Sequence, residues 1–114
     1  MNNVCLEERE GIPTLTFSQT DLIDSNMIED IGDQLMGFVE QNDGNRLLVD
    51  LSGVNFMSSL MIGKLVLLKN RCKSKDIELK FCQLSEGLQE VFQLLHLYKL
   101  IDVYPGESDA LQAF

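Results

Sequence analysis

The sequence predicts an α/β fold, a single domain over residues 1–114 with helices packed on a mixed sheet of four to five strands. Two observations lead to this prediction. Strand-like and helix-like segments alternate in the order ββαβαβαβα, which is typical of a sheet covered by helices. In addition, residues 47–49 form an unbroken apolar run, Leu-Leu-Val, as in a strand that is buried on both faces. We therefore expect residues 47–51 to lie at the centre of the sheet.

The first two strands are predicted to form a hairpin. Val4–Arg9 and Ile12–Phe17 each alternate apolar and polar residues, and Glu10 and Gly11 supply the turn between them. Pro13 has no backbone N–H to donate, which suits an edge strand. We therefore expect the second strand to lie at an edge.

An amphipathic helix is predicted over about residues 26–41. Its apolar residues recur at helical spacing: Ile28, Ile31, Leu35, Phe38 and Val39. Asp24, Ser25 and Asn26 are candidate N-caps, and Glu29 is placed after Asn26 as in a capping box. Gly44 suits a left-handed position after the helix.

The rest of the chain continues the alternation. The predicted elements are a strand over residues 46–51, a helix over about 60–73, a strand over 77–82, a helix from 85 to about 95, a short strand at Val103–Tyr104, and a final helix over 108–114 capped by Ser108. The third helix is expected to bury its apolar residues, Leu88, Val91, Phe92 and Leu95. Lys69, Arg71 and Lys73 lie in the last turns of the second helix, where cations interact favourably with the helix dipole.

The composition, 45% hydrophobic and 24% charged, is typical of a folded soluble protein. Nine basic residues against eighteen acidic residues give a net charge of −9, which repels phosphate backbones and anionic lipid surfaces. We therefore expect no nucleic acid among the partners.

The cysteines and the hydropathy pattern predict a cytoplasmic domain. Cys5, Cys72 and Cys82 show no metal-like or redox spacing and are expected to be small buried residues in a reducing compartment. No basic stretch followed by an apolar one opens the chain, and no apolar run approaches the length that spans a membrane. We expect no direct membrane insertion.

Residue types that carry catalysis or bind cofactors are sparse. His96 is the only histidine, and no recognisable nucleophile motif accompanies it. One histidine and three scattered cysteines give no metal-ligand set, and neither GxGxxG nor GxxxxGK occurs. The sequence therefore predicts no catalytic residue, no metal and no cofactor, and thus a protein that is not an enzyme.

Two serines, Ser58 and Ser59, stand at the predicted start of the second helix. Backbone N–H groups there lack intrahelical partners, so either serine can cap the helix, and a phosphate is electrostatically favoured at this position. Met57 and Met61 flank the serines, and a core position and a contact surface are both open for them. Any functional centre is expected at the two serines.

The chain resembles the STAS domain of bacterial anti-sigma factor antagonists over nearly its whole length. The matching segments are DLSGV at residues 50–54, FMSSLMIG at 56–63, the strand at 77–82, the helix at 85–97 and DAL at 109–111. In the register fixed by Phe56 and Gly63, Ser59 matches the family serine that a partner kinase phosphorylates. Ser58 stands at the position of the family aspartate, while Met61 and His96 each replace a family glycine.

The resemblance implies partner switching. The unphosphorylated protein would bind a kinase-type anti-sigma factor, phosphorylation of Ser59 would break that complex, and a PP2C-like phosphatase would reset it. Ser58 is an alternative acceptor. The kinase would supply ATP and Mg²⁺, so the chain needs no nucleotide site of its own. The partner-binding residues expected on this basis are Phe56, Met57, Ser58, Ser59 and Met61.

Two other function classes stay open. One is a constitutive scaffold or adaptor on the same fold, whose missing aspartate at position 58 reflects loss of phosphorylation. The other is a cytoplasmic accessory subunit of a membrane transporter, since related domains occur there.

Overall fold

A computed structural model describes residues 3–114 of the chain. The strands are β1 (Val4–Arg9), β2 (Ile12–Phe17), β3 (Asp21–Leu22), β4 (Arg46–Asp50), β5 (Phe56–Met57), β6 (Glu78–Cys82) and β7 (Val103–Tyr104). The helices are α1 (Ser25–Gln41), α2 (Ser59–Ser74), α3 (Glu86–Leu94) and α4 (Glu107–Ala113), with a short 3-10 helix at Leu97–Lys99.

The main sheet has five strands in the order β1-β2-β4-β6-β7, with β4 at its centre. The β1–β2 pair is antiparallel, and the other neighbours are parallel. The prediction of a mixed α/β sheet with a central strand after residue 46 is therefore confirmed. The strands β3 and β5, which were not predicted from the sequence, pair in parallel as a separate two-stranded sheet.

The apolar run at residues 47–49 serves both faces of the sheet, because successive strand residues point to opposite sides. Leu47 and Val49 belong to the large core formed with the first three helices. Leu48 belongs to a smaller cluster on the other face, where it packs with Cys82 and with Ala110 of α4.

The hairpin forms as predicted, and its turn suits its residues. Glu10 and Gly11 both have positive φ, at 51° and 79°, as a two-residue hairpin turn of type I′ requires. The prediction that β2 is an edge strand is wrong, because β1 is the edge. Pro13 is tolerated in β2 since the pairing with β4 begins only at Thr14.

Two details at the ends of α1 differ from the predictions. The helix begins at Ser25, and the Asp24 side chain caps it by accepting a hydrogen bond from the Met27 N–H at 2.9 Å, so the predicted capping box at Asn26 is wrong. Gly44 is not left-handed. Instead, the Asn42 side chain turns the chain, accepting from the Gly44 N–H and donating to the Arg46 carbonyl.

The last two helices also differ from the predictions. Ser85 caps α3 as expected, but the helix ends at Leu94 and Leu95 is 52% exposed. The next residue, His96, has φ of 57° and turns the chain, so the helix does not continue and Leu95 does not face the core. The final helix begins at Glu107 without a side-chain cap, so the predicted cap at Ser108 is wrong.

The expectation of three buried cysteines holds for two of them. Cys5 is exposed on the edge strand, whereas Cys72 and Cys82 are buried. Burial raises the pKa of the Cys72 thiol to about 11. Burial, with the nearby charge of Asp50 as a smaller cause, raises the pKa of Cys82 to about 12.

Candidate functional site

The loop that leads to the two serines is fixed at its start by Asp50, the last residue of β4. The buried Asp50 carboxylate accepts hydrogen bonds from the Ser52 backbone N–H at 2.9 Å and from the Arg9 guanidinium at 2.6 Å. Gly53 then adopts φ of +84°, a left-handed conformation that costs glycine little. The direction of the loop out of the sheet is therefore determined by an ion pair and a glycine turn.

The second half of the loop is held by β3, which pairs with β5. The Asn55 N–H donates to the Thr20 carbonyl at 2.8 Å, and the Ser58 N–H donates to the Leu22 carbonyl at 2.9 Å. The backbone entering α2 is thus hydrogen-bonded to the segment that precedes α1. This ladder places the serines in a fixed backbone rather than in a free loop.

The two serines have different surroundings. Ser58 is the N-cap of α2: its backbone is extended, and its hydroxyl accepts a hydrogen bond from the Met61 N–H at 3.4 Å. Ser59 is the first helical residue and is exposed, whereas Ser58 is half-buried. The predicted position of Ser59, at a helix N-terminus and within reach of solvent, is confirmed.

The apolar residues around the serines divide between surface and core. Phe56 is 56% exposed and Leu60 is 41% exposed, whereas Met57 and Met61 are 4% and 0% exposed. The expectation that Met57 and Met61 offer contact area to a partner is therefore wrong, because both side chains pack in the main core. We refer to Phe56, Ser58, Ser59 and Leu60 as the serine surface.

The exposed side of α2 extends this surface along the helix. Leu60, Gly63 and Leu67 are exposed and lie on one face, since residues three and four apart are neighbours on a helix. Lys64 turns towards α1, where its ammonium pairs with Glu29 at 3.0 Å. The exposed face near Ser59 is therefore mainly apolar, and the first turn of α2 contains no acidic side chain.

Leu60 as a contact residue and Arg9 as a support of the loop were not predicted from the sequence. A signal for Leu60 was present in the sequence. Once the buried face of α2 is assigned to residues such as Met61 and Leu65, Leu60 in the first turn must face outward. No local signal existed for Arg9, which lies 41 residues before Asp50 in the chain.

The other candidate features lie apart from the serines. His96 is exposed in the turn after α3. A cleft of about 510 Å³ involves Leu6, Phe38 and Arg46, at the start of β4, whereas the serines follow its end. Within residues 3–114, no group of three or more histidine, cysteine or acidic residues is arranged to hold a metal ion. In the same part of the chain, no helix has the length and apolar character needed to cross a membrane.

Several solved structures have the same fold as this chain. A STAS-domain anti-sigma-factor antagonist from Planctomyces limnophilus superimposes with a TM-score of 0.85 at 23% identity, over 99% of this chain and 98% of the other. An anti-sigma factor antagonist from Mycobacterium paratuberculosis gives 0.83 at 20% identity, over 96% and 91%. The Bacillus cell fate determinant SpoIIAA, in its phosphorylated form, gives 0.69 at 15% identity, over 96% and 97%.

These superpositions show a shared fold, and the family assignment comes from the sequence. Residues 3–110 match the description of the STAS domain family, which covers both the sheet and the two serines at the start of α2. The chain therefore belongs to the STAS domain family.

Proposed function

We propose that this domain is an anti-sigma factor antagonist that acts by partner switching in the cytoplasm. In its unphosphorylated form it binds a kinase-type anti-sigma factor through the serine surface, so that the sigma factor is released. The kinase then phosphorylates Ser59 and the complex dissociates, and a PP2C-like phosphatase restores the binding form. The domain contributes a binding surface and an acceptor hydroxyl and performs no catalysis itself.

The observation that carries this proposal is the exposure of Ser59 at a hydrogen-bonded helix start, together with the exposed side chains of Phe56 and Leu60. A kinase needs an accessible acceptor, and a partner needs apolar area that is not already buried in the core. Phe56 and Leu60 supply that area directly beside Ser59. One surface can therefore both dock the kinase and receive its phosphate.

The capping geometry favours Ser59 over Ser58 as the acceptor. The Ser58 hydroxyl accepts a hydrogen bond from the Met61 N–H, and Ser58 is half-buried. Moving this side chain to a kinase would cost the cap, about 1 kcal/mol. The exposed Ser59 is not the cap residue and carries no such cost.

A phosphate on Ser59 has opposite effects on the fold and on the complex. The helix N-terminus favours an anion, so the phosphate stabilises α2. For the partner, the phosphate adds nearly two negative charges that must be desolvated at a surface of a domain with net charge −9. Release therefore requires no unfolding of the domain.

The proposal is tested with a kinase-type anti-sigma factor encoded near this gene, ATP and Mg²⁺, followed by mapping of the phosphorylated residue by mass spectrometry. We expect Ser59→Ala to abolish phosphate incorporation and Ser58→Ala to retain it. Ser58→Asp restores the residue of the family pattern and keeps a good N-cap, so it serves as the matched positive control. Incorporation at Ser58 alone would assign the acceptor role to Ser58.

One observation favours a second candidate, a scaffold that is not phosphorylated. Ser58 stands where the family motif has an aspartate, and an adaptor that is never phosphorylated would have no need of that residue. If no phosphate is incorporated into the wild type or the Ser58→Asp variant while the anti-sigma factor still binds, the scaffold function replaces the switch.

A further inference from the structure

A second surface with a distinct chemistry lies at the other end of α2. A cleft of about 250 Å³ opens between the end of this helix, strand β6 and the segment after the 3-10 helix. Its apolar lining consists of Ile77, Leu79, Phe81, Leu100 and Ile101. Leu100 at the cleft is 48% exposed, whereas the next residue, Ile101, is buried.

The cations around this cleft are not used inside the domain. Of the nine basic residues, five make ion pairs within residues 3–114: Arg9, Lys64, Arg71, Lys75 and Lys80. The four that make none in this part of the chain are Arg46, Lys69, Lys73 and Lys99. Lys69 and Lys73 line the cleft, and Lys99 directly precedes Leu100. Two of the four unpaired cations therefore line one apolar site of an acidic domain, and a third, Lys99, adjoins it in sequence.

The acidic residue at the cleft does not neutralise these lysines. Asp102 lies in the lining, but its carboxylate accepts hydrogen bonds from Lys80 and from the Tyr104 hydroxyl. The helix dipole accounts for a cation in the last turn of α2, which contains Lys73. It does not account for Lys69, one turn earlier.

We propose that this site, the lysine cleft, docks a protein segment that presents an apolar side chain flanked by carboxylates. The lysine cleft comprises Lys69, Lys73, Ile77, Leu79 and Leu100. A cavity of about 150 Å³ accommodates benzene, so the apolar floor has room for a leucine or phenylalanine side chain. Small-molecule sites usually need about 300 Å³ or more, which favours a side chain of a partner over a free ligand. The lysines at the rim would pair with the flanking carboxylates.

The net charge of the domain decides between this partner and two other occupants. Anionic lipid surfaces and a second copy of the chain are both repelled by a domain of net charge −9. An acidic segment on a protein partner can be locally acidic without a large total charge, so it meets Lys69 and Lys73 with less repulsion.

The lysine cleft is independent of the proposed phosphorylation. Lys69 follows Ser59 by ten residues, which places it about 15 Å further along the helix axis. That separation exceeds the Debye length of about 8 Å at physiological ionic strength. A charge on Ser59 should therefore leave binding at the lysine cleft unchanged, and the two surfaces can be occupied together.

The test uses a synthetic amphipathic helical peptide with leucines on one face and glutamates beside them, titrated into the ¹⁵N-labelled domain. A second peptide with lysines in place of the glutamates is the probe control. We expect amide shifts in the last turns of α2 and at Leu100 and Ile101 with the acidic peptide only. Affinity should fall at least about tenfold in Lys69→Gln/Lys73→Gln and in Leu100→Asp, because rim charges and a central apolar anchor both contribute to binding.

Two variants are controls for these losses. Arg46→Gln removes another unpaired cation at a different cleft, and Ser59→Asp changes the serine surface. Both should bind the acidic peptide as the wild type does. Thermal melts establish that each variant is folded, and the double lysine variant, which alters only side-chain ends at the rim, keeps the test valid if Leu100→Asp unfolds.

Three results would overturn the proposal. One is equal binding of the acidic and basic peptides, or binding of neither. Another is binding to phosphatidylglycerol vesicles that Lys69→Gln/Lys73→Gln abolishes while peptide binding is unaffected, which would assign the site to lipid. The third is a concentration-dependent dimer that Leu100→Asp dissociates, which would assign the site to a second copy of the chain.

Discussion

Ser58 and Ser59 are neighbours with the same side chain, yet they differ in what their hydroxyls do. The extended backbone of Ser58 (φ −75°, ψ 167°) turns its side chain back onto the first turn of α2, and its carbonyl accepts a hydrogen bond from the Ile62 N–H. Ser59 already has a helical backbone and faces solvent. The Ser58 hydroxyl therefore caps the helix, whereas that of the next residue, Ser59, is free to be modified.

Ser59→Asp should separate stability from binding. The first turn of α2 has no acidic residue, so a carboxylate at its first position should stabilise the domain by about 0.3–1 kcal/mol through the helix dipole. The same charge at the serine surface should weaken binding to the anti-sigma factor more than about tenfold, since an uncompensated charge at an interface costs several kcal/mol. Urea unfolding and calorimetric titration measure the two effects.

Asn70→Asp is the matched control for this variant. It places the same charge on an exposed residue of the same helix, about 16 Å further along the axis and near the opposite end, where an anion is unfavourable. It should slightly lower stability and leave binding unchanged. A Ser59→Asp variant that binds as tightly as the wild type would contradict the switch.

Removing the cap at Ser58 should act on stability. Ser58→Ala should cost about 0.5–1 kcal/mol, at the low end for an N-cap because the hydrogen bond to the Met61 N–H is long, at 3.4 Å. Ser85→Ala, which removes the corresponding cap of α3 at 3.2 Å, is the control on another helix. Chemical denaturation of both variants checks this, and an unchanged stability of Ser58→Ala would show that Ser58 does not cap α2.

At the scale of elements, the position of the start of α2 depends on the hydrogen bonds between β3 and β5, and these two strands cannot be predicted from hydrophobic periodicity. The strands β3 and β5 have two residues each, too few for an alternating pattern to be detected. The sequence still predicted the helix and its start within one residue, because a capping serine and an apolar face are local signals. It could not assign Met57 and Met61 to the core, since their burial depends on the packing of α1 and β3 against the loop.

Other differences have either a local cause or contacts between residues far apart in the chain. The four strands and three helices with clear periodicity were predicted, as was the central position of β4. The exposure of Leu95 has a local cause, the left-handed turn at His96, for which the family glycine at that position was a signal. The support of the serine loop by Arg9 depends on the sheet order that brings β1 near the end of β4.

Gly63→Ala should test how closely a partner approaches α2. A methyl group at Gly63 or at Gly37 meets no atom within 4 Å, so alanine at either helical position should stabilise the domain by about 0.5–1 kcal/mol. Only Gly63 lies on the exposed face with Leu60 and Leu67. We expect Gly63→Ala to weaken binding of the anti-sigma factor while Gly37→Ala does not, as measured by calorimetric titration. Equal affinity of both variants would remove the exposed face of α2 from the interface.

At the scale of the whole molecule, the sheet separates two unequal clusters, and each contains one buried thiol. Cys72 lies in the main core under α1 and α2, and Cys82 lies in the smaller cluster under α4. The groups around Cys82 include the carboxylates of Asp50 and Glu107 and the guanidinium of Arg9, while Lys75 is near Cys72. Because each cluster buries one thiol, ionisation of a thiol at alkaline pH should destabilise the packing on either side of the sheet.

We expect the domain to lose stability between about pH 9 and pH 12. The pKa values of Cys72 and Cys82 are raised by burial from the ordinary value of 9.0 to about 11 and about 12. Above pH 9 the unfolded chain releases these protons while the folded chain retains them, so the unfolded state binds fewer protons and the free energy of unfolding falls as pH rises. Below pH 9 both states hold the protons, and the thiols cause no pH dependence.

Urea unfolding at pH 7.5, 9 and 10.5 measures this dependence, and cysteine variants separate the thiols from other groups. Lys80 also affects stability at alkaline pH: burial lowers its pKa, but hydrogen bonds to Asp102, Glu78 and Tyr104 outweigh burial and raise it overall, so the unfolded chain loses this proton before the folded domain does. Its contribution should persist in Cys72→Ala/Cys82→Ala, whereas the part due to the thiols should disappear and the slope above pH 9 should become shallower. The exposed Cys5 is the matched control, since Cys5→Ala should leave the slope as in the wild type. An identical slope in all three proteins would show that the buried thiols do not carry the alkaline loss of stability.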